Sequence, residues 1–210
     1  PLIRFGQHGF LGGSGFLLTG LGANTGVLAF FLFQMVFMDT AATIPTGSMA
    51  ERLKFIGFVL MGLWVSMFIY PVAAGWVWGG GWLGNIPFGS GVMDFAGSAV
   101  VHTIGGMLAL VGAFFLGPRA KKFNPDGTSN AIPGHDLTLV VVGTLLLAFG
   151  WFGFNAGSTL GATDLRISVV ASNTFIAAAA GAALVIFVSY AYFGFTDIGL
   201  SCNGALGGLV

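Results

Sequence analysis

The chain has 210 residues, of which 56% are apolar and only 7% charged, whereas soluble domains carry about 25% charged residues. Seven basic and seven acidic residues give a net charge of zero, which argues against a nucleic-acid-binding surface. Cys202 is the single cysteine, and no Cys/His spacing typical of a metal site is present, so we expect neither metal nor cofactor. The composition indicates an all-α, polytopic membrane protein.

Five apolar runs are long enough to cross a bilayer, which takes about 20 residues. We predict helices, because a backbone in lipid has to satisfy its own hydrogen bonds. The predicted spans are residues 25–49, 55–78, 94–117, 137–158 and 169–193, and a sixth begins near residue 198. Since the sequence starts without Met and stops inside an apolar run, we expect an internal fragment of a longer protein, with no domain boundary inside it.

The basic residues between the spans predict how the helices are oriented. One set of connections holds only Arg4 and Arg166. The other set holds Arg52, Lys54, Arg119, Lys121 and Lys122. Connections rich in Lys and Arg stay in the cytoplasm, so we expect the second set on that side and the Gly- and Trp-rich segment 79–93 facing outward.

Three ionisable residues in the predicted spans are candidate functional residues, because a charge in lipid is costly. Asp94 stands where the outward segment meets the third span, and we expect it to cap that helix and to place a negative charge at the outer mouth. His102 lies about 12 Å deeper, where a neutral imidazole can pass a proton; a histidine bonded to a neighbouring helix explains it equally well. Asp39 bonds across helices or lines a wet cavity, and the pattern gives it no firm role.

Aromatic residues recur at helical spacing. In the fourth span an i, i+3, i+4, i+7 pattern predicts one shared face for Trp151, Phe154, Asn155 and Ser158. Phe33 and Phe37 are spaced i, i+4 on the first span, and Trp78 ends the second. Packing or an interfacial aromatic belt explains any one of them. Combined with Asp94 and His102, they suggest a path for a small cation, which aromatic faces attract.

Four motifs together resemble the Amt/Rh family of ammonium transporters. The longest begins at Asp94, passes through small residues to His102, and closes at Arg119 after Gly-Pro. The others are residues 33–37 with 50–52, residues 78–81 and residues 150–158. They cover most of the chain from about residue 28 onward, and the outer aromatic set with Trp78 is more similar to the Amt branch than to the Rh branch.

The resemblance implies an eleven-span, inverted-repeat helix bundle that forms homotrimers with one pore per subunit. This chain would supply the third to seventh spans and the start of the eighth. The outer ammonium site would be formed by Trp78, Phe37, Ser158, Phe33 and Trp151. Phe37 and Phe154 would form a stacked gate below it. Asp94 would hold the outer site electrostatically, and His102 would be the first of two pore histidines.

The implied function is a transmembrane channel or transporter that recruits NH4+ at the outer site, deprotonates it and conducts it through an apolar pore. Methylammonium would be a second substrate, the prokaryotic plasma membrane the location, and a PII-type signalling protein a cytoplasmic partner. The alternative is an ammonium sensor with the same core fused to a signalling domain. An enzyme would need a nucleophile or metal set, which His102 with distant aspartates does not make, so we expect none. A generic transporter for another solute is disfavoured by the motifs.

Overall fold

The structure is a computed structural model that describes residues 2–5, 8–22 and 24–210, without the side chains of residues 2–5, 8 and 11. The side chain of Arg4, which enters the charge count above, therefore lies outside the described part. Within that part, five helices are long and apolar enough to cross a membrane: Thr25–Met49, Phe55–Val77, Ser98–Leu116, Leu137–Thr159 and Leu165–Phe193. The predicted all-α, polytopic membrane fold is confirmed.

We label the elements in chain order. Strands β1 (Leu2–Phe5) and β2 (His8–Gly12) pair antiparallel. The helices are α1 (Thr25–Met49), α2 (Phe55–Val77), α3 (Ser98–Leu116), α4 (Leu137–Phe154), α5 (Leu165–Phe193) and α6 (Ile198–Leu209). Short 3-10 turns lie at Phe16–Leu18, Leu83–Asn85 and Ala156–Thr159. The chain divides into two compact units, Pro1–Asn130 and Ala131–Val210, and each is described by itself.

In the first unit, α3 packs closely against α1. A Cβ added at Gly105 would lie 2.6 Å from the Ile44 side chain, so the two helices can approach this closely only with glycine at that position. One turn further, the Ser48 hydroxyl donates to the carbonyl of Ala109 over 3.0 Å. Small residues thus let a side chain of α1 reach the backbone of α3, as in membrane helix pairs generally.

Both α2 and α3 contain a π-helical turn, which has one residue more than an α-helical turn. In α2 the wide turn is Val65–Ile69, and the Tyr70 N–H donates to the carbonyl of Val65, five residues back. In α3 it is Ser98–Thr103, at the start of the helix. Single π turns of this kind occur frequently at functional sites.

Two helices begin at residues other than those predicted. α3 begins at Ser98 rather than residue 94, because Gly97 adopts a left-handed conformation (φ 103°) that cannot continue a helix toward the N-terminus. α5 begins at Leu165 rather than residue 169, because the carboxylate of Asp164 accepts the Arg166 N–H and caps a first turn with few apolar residues.

In the second unit, α5 and α6 form an antiparallel hairpin held by backbone contact between glycines. A Cβ at Gly204 would lie 2.6 Å from the carbonyl oxygen of Gly181, which only glycine avoids. At the end of α4, the amide of Asn155 donates to the carbonyl of Leu209 over 3.0 Å and to the hydroxyl of Thr174 over 3.2 Å. Asn155 therefore ties α4 to both helices of the hairpin.

A polar cluster joins α1 and α3 at their predicted cytoplasmic ends. The Arg52 guanidinium donates to the carbonyls of Ser48 and Gly117, which helix ends leave without partners. Arg119 pairs with Glu51 through two parallel hydrogen bonds, one of them 2.9 Å from Nε to Oε2. The hydrogen bond from Arg119 lowers the pKa of the Glu51 carboxyl below its ordinary value of 4.5.

Candidate functional site

Asp94 binds the start of α3 through both oxygens of its carboxylate. Oδ1 accepts the Gly97 N–H over 2.6 Å, and Oδ2 accepts the N–H groups of Ala99 and Val100, each over 2.8 Å. The left-handed Gly97 turns the chain so that these donors point back at a carboxylate three residues upstream. Three N–H groups that a helix start would otherwise leave without partners are satisfied by one charged side chain.

Three aromatic rings lie beside Asp94 in the first unit. The indole N–H of Trp78 donates to the Asp94 backbone carbonyl over 2.7 Å, which fixes the ring at the end of α2. Phe37 lies edge-on to Trp78, with ring centroids 6.1 Å apart, and is only 2% exposed. Phe33 follows with its centroid 4.2 Å from that of Phe37. We call Phe33, Phe37, Trp78 and Asp94 the outer aromatic cluster; they are predicted site residues that the structure brings together.

A buried polar pair beside this cluster was missed from the sequence. The hydroxyl of Tyr70 on α2 donates to Oε1 of Gln34 on α1 over 2.7 Å, and Tyr70 is 5% exposed. Gln34 stands between Phe33 and Phe37, so the hydrogen bond joins the two helices that carry the rings of the cluster. Two isolated polar side chains in neighbouring apolar runs were the available signal, because such groups need each other in lipid.

His102 lies inside the π turn that opens α3. Its backbone N–H donates to the carbonyl of Gly97, five residues back, over 2.9 Å. The neighbouring Val100 and Val101 are 1% and 0% exposed, so the turn is packed into the first unit. The Nε2 atom of the imidazole is buried as well. Because Asp94 holds the beginning of this turn, the position of the His102 backbone depends on the Asp94 carboxylate.

In the second unit, Trp151, Phe154 and Ser158 lie near the end of α4. The rings of Trp151 and Phe154 have centroids 5.8 Å apart. The Ser158 hydroxyl donates to the Phe154 carbonyl over 2.6 Å. Since a hydroxyl has one proton and two lone pairs, this bond uses the proton and leaves the oxygen as an acceptor.

The shared face predicted for this segment does not extend along one α-helix. α4 ends at Phe154, and the 3-10 turn Ala156–Thr159 changes the spacing before Ser158 is reached. Asn155 is also not available to a ligand in the way its neighbours are, because its amide is bound between α5 and α6. The i+7 rule failed because it assumes that the helix continues.

The predicted gate and outer site combine residues of both units, Phe37 with Phe154 and Trp78 with Ser158, and these pairings stay predictions. Asp39 is exposed on α1, apart from the outer aromatic cluster. Across the residues that the structure describes, no three His, Cys, Asp or Glu side chains are grouped so that they could hold a metal ion.

Comparison with known proteins gives one family. Its model, described as the Ammonium Transporter Family, matches residues 2–210. Ammonium transporter Amt2 of Archaeoglobus fulgidus is 48% identical over 209 residues, covering 97% of this chain and 45% of that protein. Ammonium transporter Amt1 of Haloferax mediterranei is 41% identical over 206 residues, covering 89% of this chain and 39% of that protein. The crystal structure of Candida albicans Mep2 matches with a TM-score of 0.75 and 34% identity, over 87% of this chain and 39% of that one. The chain thus spans less than half the length of these relatives.

Proposed function

Since the chain belongs to the Ammonium Transporter Family, we propose that it is part of a membrane protein that carries ammonium across the bilayer. The proposed route begins at an outer site made by Trp78, Phe37 and Ser158, with Phe33 and Trp151 around it. The ion is deprotonated there, and ammonia passes the gate of Phe37 and Phe154 toward His102. The relatives' printed names, ammonium transporter Amt2 and Amt1, support the substrate.

One observation carries the recruitment step: the way Trp78 is held. Its N–H is occupied by the Asp94 carbonyl, so the ring is fixed while its π face stays free of that bond. Trp is the aromatic side chain that attracts cations most strongly. The Asp94 carboxylate lies next to it and adds a negative charge that favours a cation at the mouth.

Deprotonation follows from what lies below the cluster. An intact cation in an apolar, water-poor conduit costs far more than neutral ammonia, because nothing replaces its hydration. Ammonium can donate hydrogen bonds to the Ser158 oxygen, whose own proton is already used, whereas K+ donates none. Past the gate, a neutral imidazole at His102 can accept a hydrogen bond from ammonia or relay its proton.

The assembly and location belong to the same proposal. We infer a homotrimer with one pore per subunit in a prokaryotic plasma membrane, and a PII-type signalling protein at the face that carries Arg52 and Arg119. Native mass spectrometry of the full-length protein in detergent tests the trimer, and a mass other than three subunits contradicts it.

The proposed function is tested by uptake of labelled methylammonium into vesicles that contain the full-length protein. Trp78→Leu is expected to raise KM by about 2- to 30-fold, the range that a cation–π contact of about 0.5–2 kcal/mol supplies. Trp64→Leu is the matched control, since Trp64 lies on the same helix but is 57% exposed and packs on Phe68. A folded Trp78→Leu protein with unchanged KM, or vesicles without uptake by the wild type, would overturn the proposal.

A further inference from the structure

Asp39 is an acidic residue near the middle of a membrane-spanning helix. It stands fourteen residues after Thr25 and ten before Met49, which is about 21 Å and 15 Å along α1. A bilayer's hydrocarbon core is about 30 Å thick, so these distances place Asp39 near its centre. The side chain is exposed, and no hydrogen bond or ion pair joins its carboxylate to another described residue.

The neighbours of Asp39 on this face cannot balance its charge. Met35, Val36 and Thr43 are exposed beside it, and none of them is basic. The opposite face of α1 is already covered by α3, through Ile44 against Gly105. A carboxylate at this depth faces a bundle interior or a partner rather than lipid, because the bilayer centre is the most costly place for a charge.

We propose that this face of α1, which we call the Asp39 face (Asp39 with Met35, Val36 and Thr43), is covered by a further membrane-spanning helix of the same full-length polypeptide. That helix carries a side chain whose N–H or O–H donates to the Asp39 carboxylate. The chain spans 45% of the Archaeoglobus protein and 39% of the Haloferax protein, so relatives hold more than half of their residues outside the matched part. The inference concerns helix packing and does not depend on which solute is carried.

The order of thermal stability among variants tests the contact. In the full-length protein in detergent and in membranes, we expect wild type to be more stable than Asp39→Asn, and Asp39→Asn more stable than Asp39→Leu. Asn retains one acceptor oxygen and Leu retains none. Met35→Leu, an apolar exchange on the same face, sets the size of an effect without loss of charge. Asp39→Leu as stable as wild type, or more stable, would mean that the face meets lipid and would overturn the proposal.

A photoreactive residue identifies what covers the face. Benzoylphenylalanine introduced at position 39 of the full-length protein is expected to cross-link within one polypeptide, leaving the monomer mass unchanged and joining two of its own peptides. An adduct with lipid contradicts the proposal, and so does a link between two copies of the chain. Asp39→Asn keeps the stability test decisive if the larger residue prevents folding.

Discussion

The Trp78 indole N–H donates to the Asp94 carbonyl over 2.7 Å, while the Asp94 carboxylate accepts three N–H groups at the start of α3. One residue therefore holds, with two different groups, the last ring of α2 and the first turn of the helix that carries His102. A change at Asp94 is expected to reach both, so the outer aromatic cluster and α3 should respond together.

We expect Asp94→Ala to lower the free energy of unfolding by about 2 kcal/mol, the upper end of helix-cap effects, because three N–H groups lose their acceptor. Transport should be lost as well, since the charge at the mouth disappears with the cap. Asp94→Asn keeps one capping oxygen and should fold nearly normally. Thermal denaturation of the full-length variants in detergent measures the difference.

A second helix cap provides the control. The Asp197 carboxylate accepts only the Leu200 N–H, over 2.7 Å, so Asp197→Ala should cost less than Asp94→Ala. If Asp94→Asn were as unstable as Asp94→Ala, the charge would matter more than the cap, contrary to our expectation.

Adjacent glycines in α3 should respond oppositely to the same substitution. Gly105→Ala places a methyl group 2.6 Å from the Ile44 side chain and should destabilise the protein by about 1–3 kcal/mol through overpacking. Gly106→Ala meets nothing within 4 Å and should be neutral or stabilise by about 0.5–1 kcal/mol, because alanine favours helix. Melting temperatures of the two variants measure this, and equal losses would show that α1 and α3 do not approach through Gly105.

The Glu51–Arg119 pair should make stability depend on acid pH. Pairing lowers the pKa of Glu51, so its contribution is fully present above the ordinary value of 4.5 and is lost as the pH falls through the folded-state value. Glu51→Gln should therefore melt slightly below wild type at pH 7, with the difference vanishing in acid. Salt should shrink it too, because Arg119 and Glu51 are 34% and 61% exposed.

The backbone of Glu51 offers a competing explanation that the same experiment separates. Glu51 has a positive φ of 66°, a conformation equally strained for Gln. A difference between wild type and Glu51→Gln that stays constant with pH would therefore exclude the ion pair as its cause.

On the proposed function, His102→Asp should admit potassium. A fixed negative charge in the conduit offsets the hydration that a monovalent cation loses, so the barrier for any such ion falls. The measurement is growth of a potassium-uptake-deficient host that carries the intact gene, with ammonium uptake in parallel. His102→Asn has a similar shape without the charge and should still exclude potassium. Folded, inserted His102→Asp protein that excludes potassium and carries ammonium at the wild-type rate would refute the role given to His102.

Hydropathy alone predicted the spanning helices, because the bilayer demands long apolar runs whatever their partners are. Their beginnings were harder, since the start of α3 depends on the left-handed Gly97 and the start of α5 on the Asp164 cap. Both are local backbone events that an average over about 20 residues conceals. The π turns were invisible for the same reason, because one extra residue leaves the hydropathy of a span unchanged.

The site was predictable in its residue types more than in its contacts. Phe37 and Trp78 were chosen from a motif, and the structure brings their rings together. The hydrogen bond from Tyr70 to Gln34 was missed, because no spacing rule relates residues on two different helices. Asn155 was assigned to a ligand face by periodicity, whereas its amide is bound within the second unit.

The wide turn in α2 makes the length of that segment matter as much as its composition. Deleting one residue within Val65–Ile69 would close it to an ordinary α-helical turn and rotate everything beyond it by about 100°. Tyr70 would then swing away from Gln34, and Trp78 away from Asp94. Aligned homologues should therefore tolerate exchanges of one apolar residue for another here far more readily than a gap of a single position.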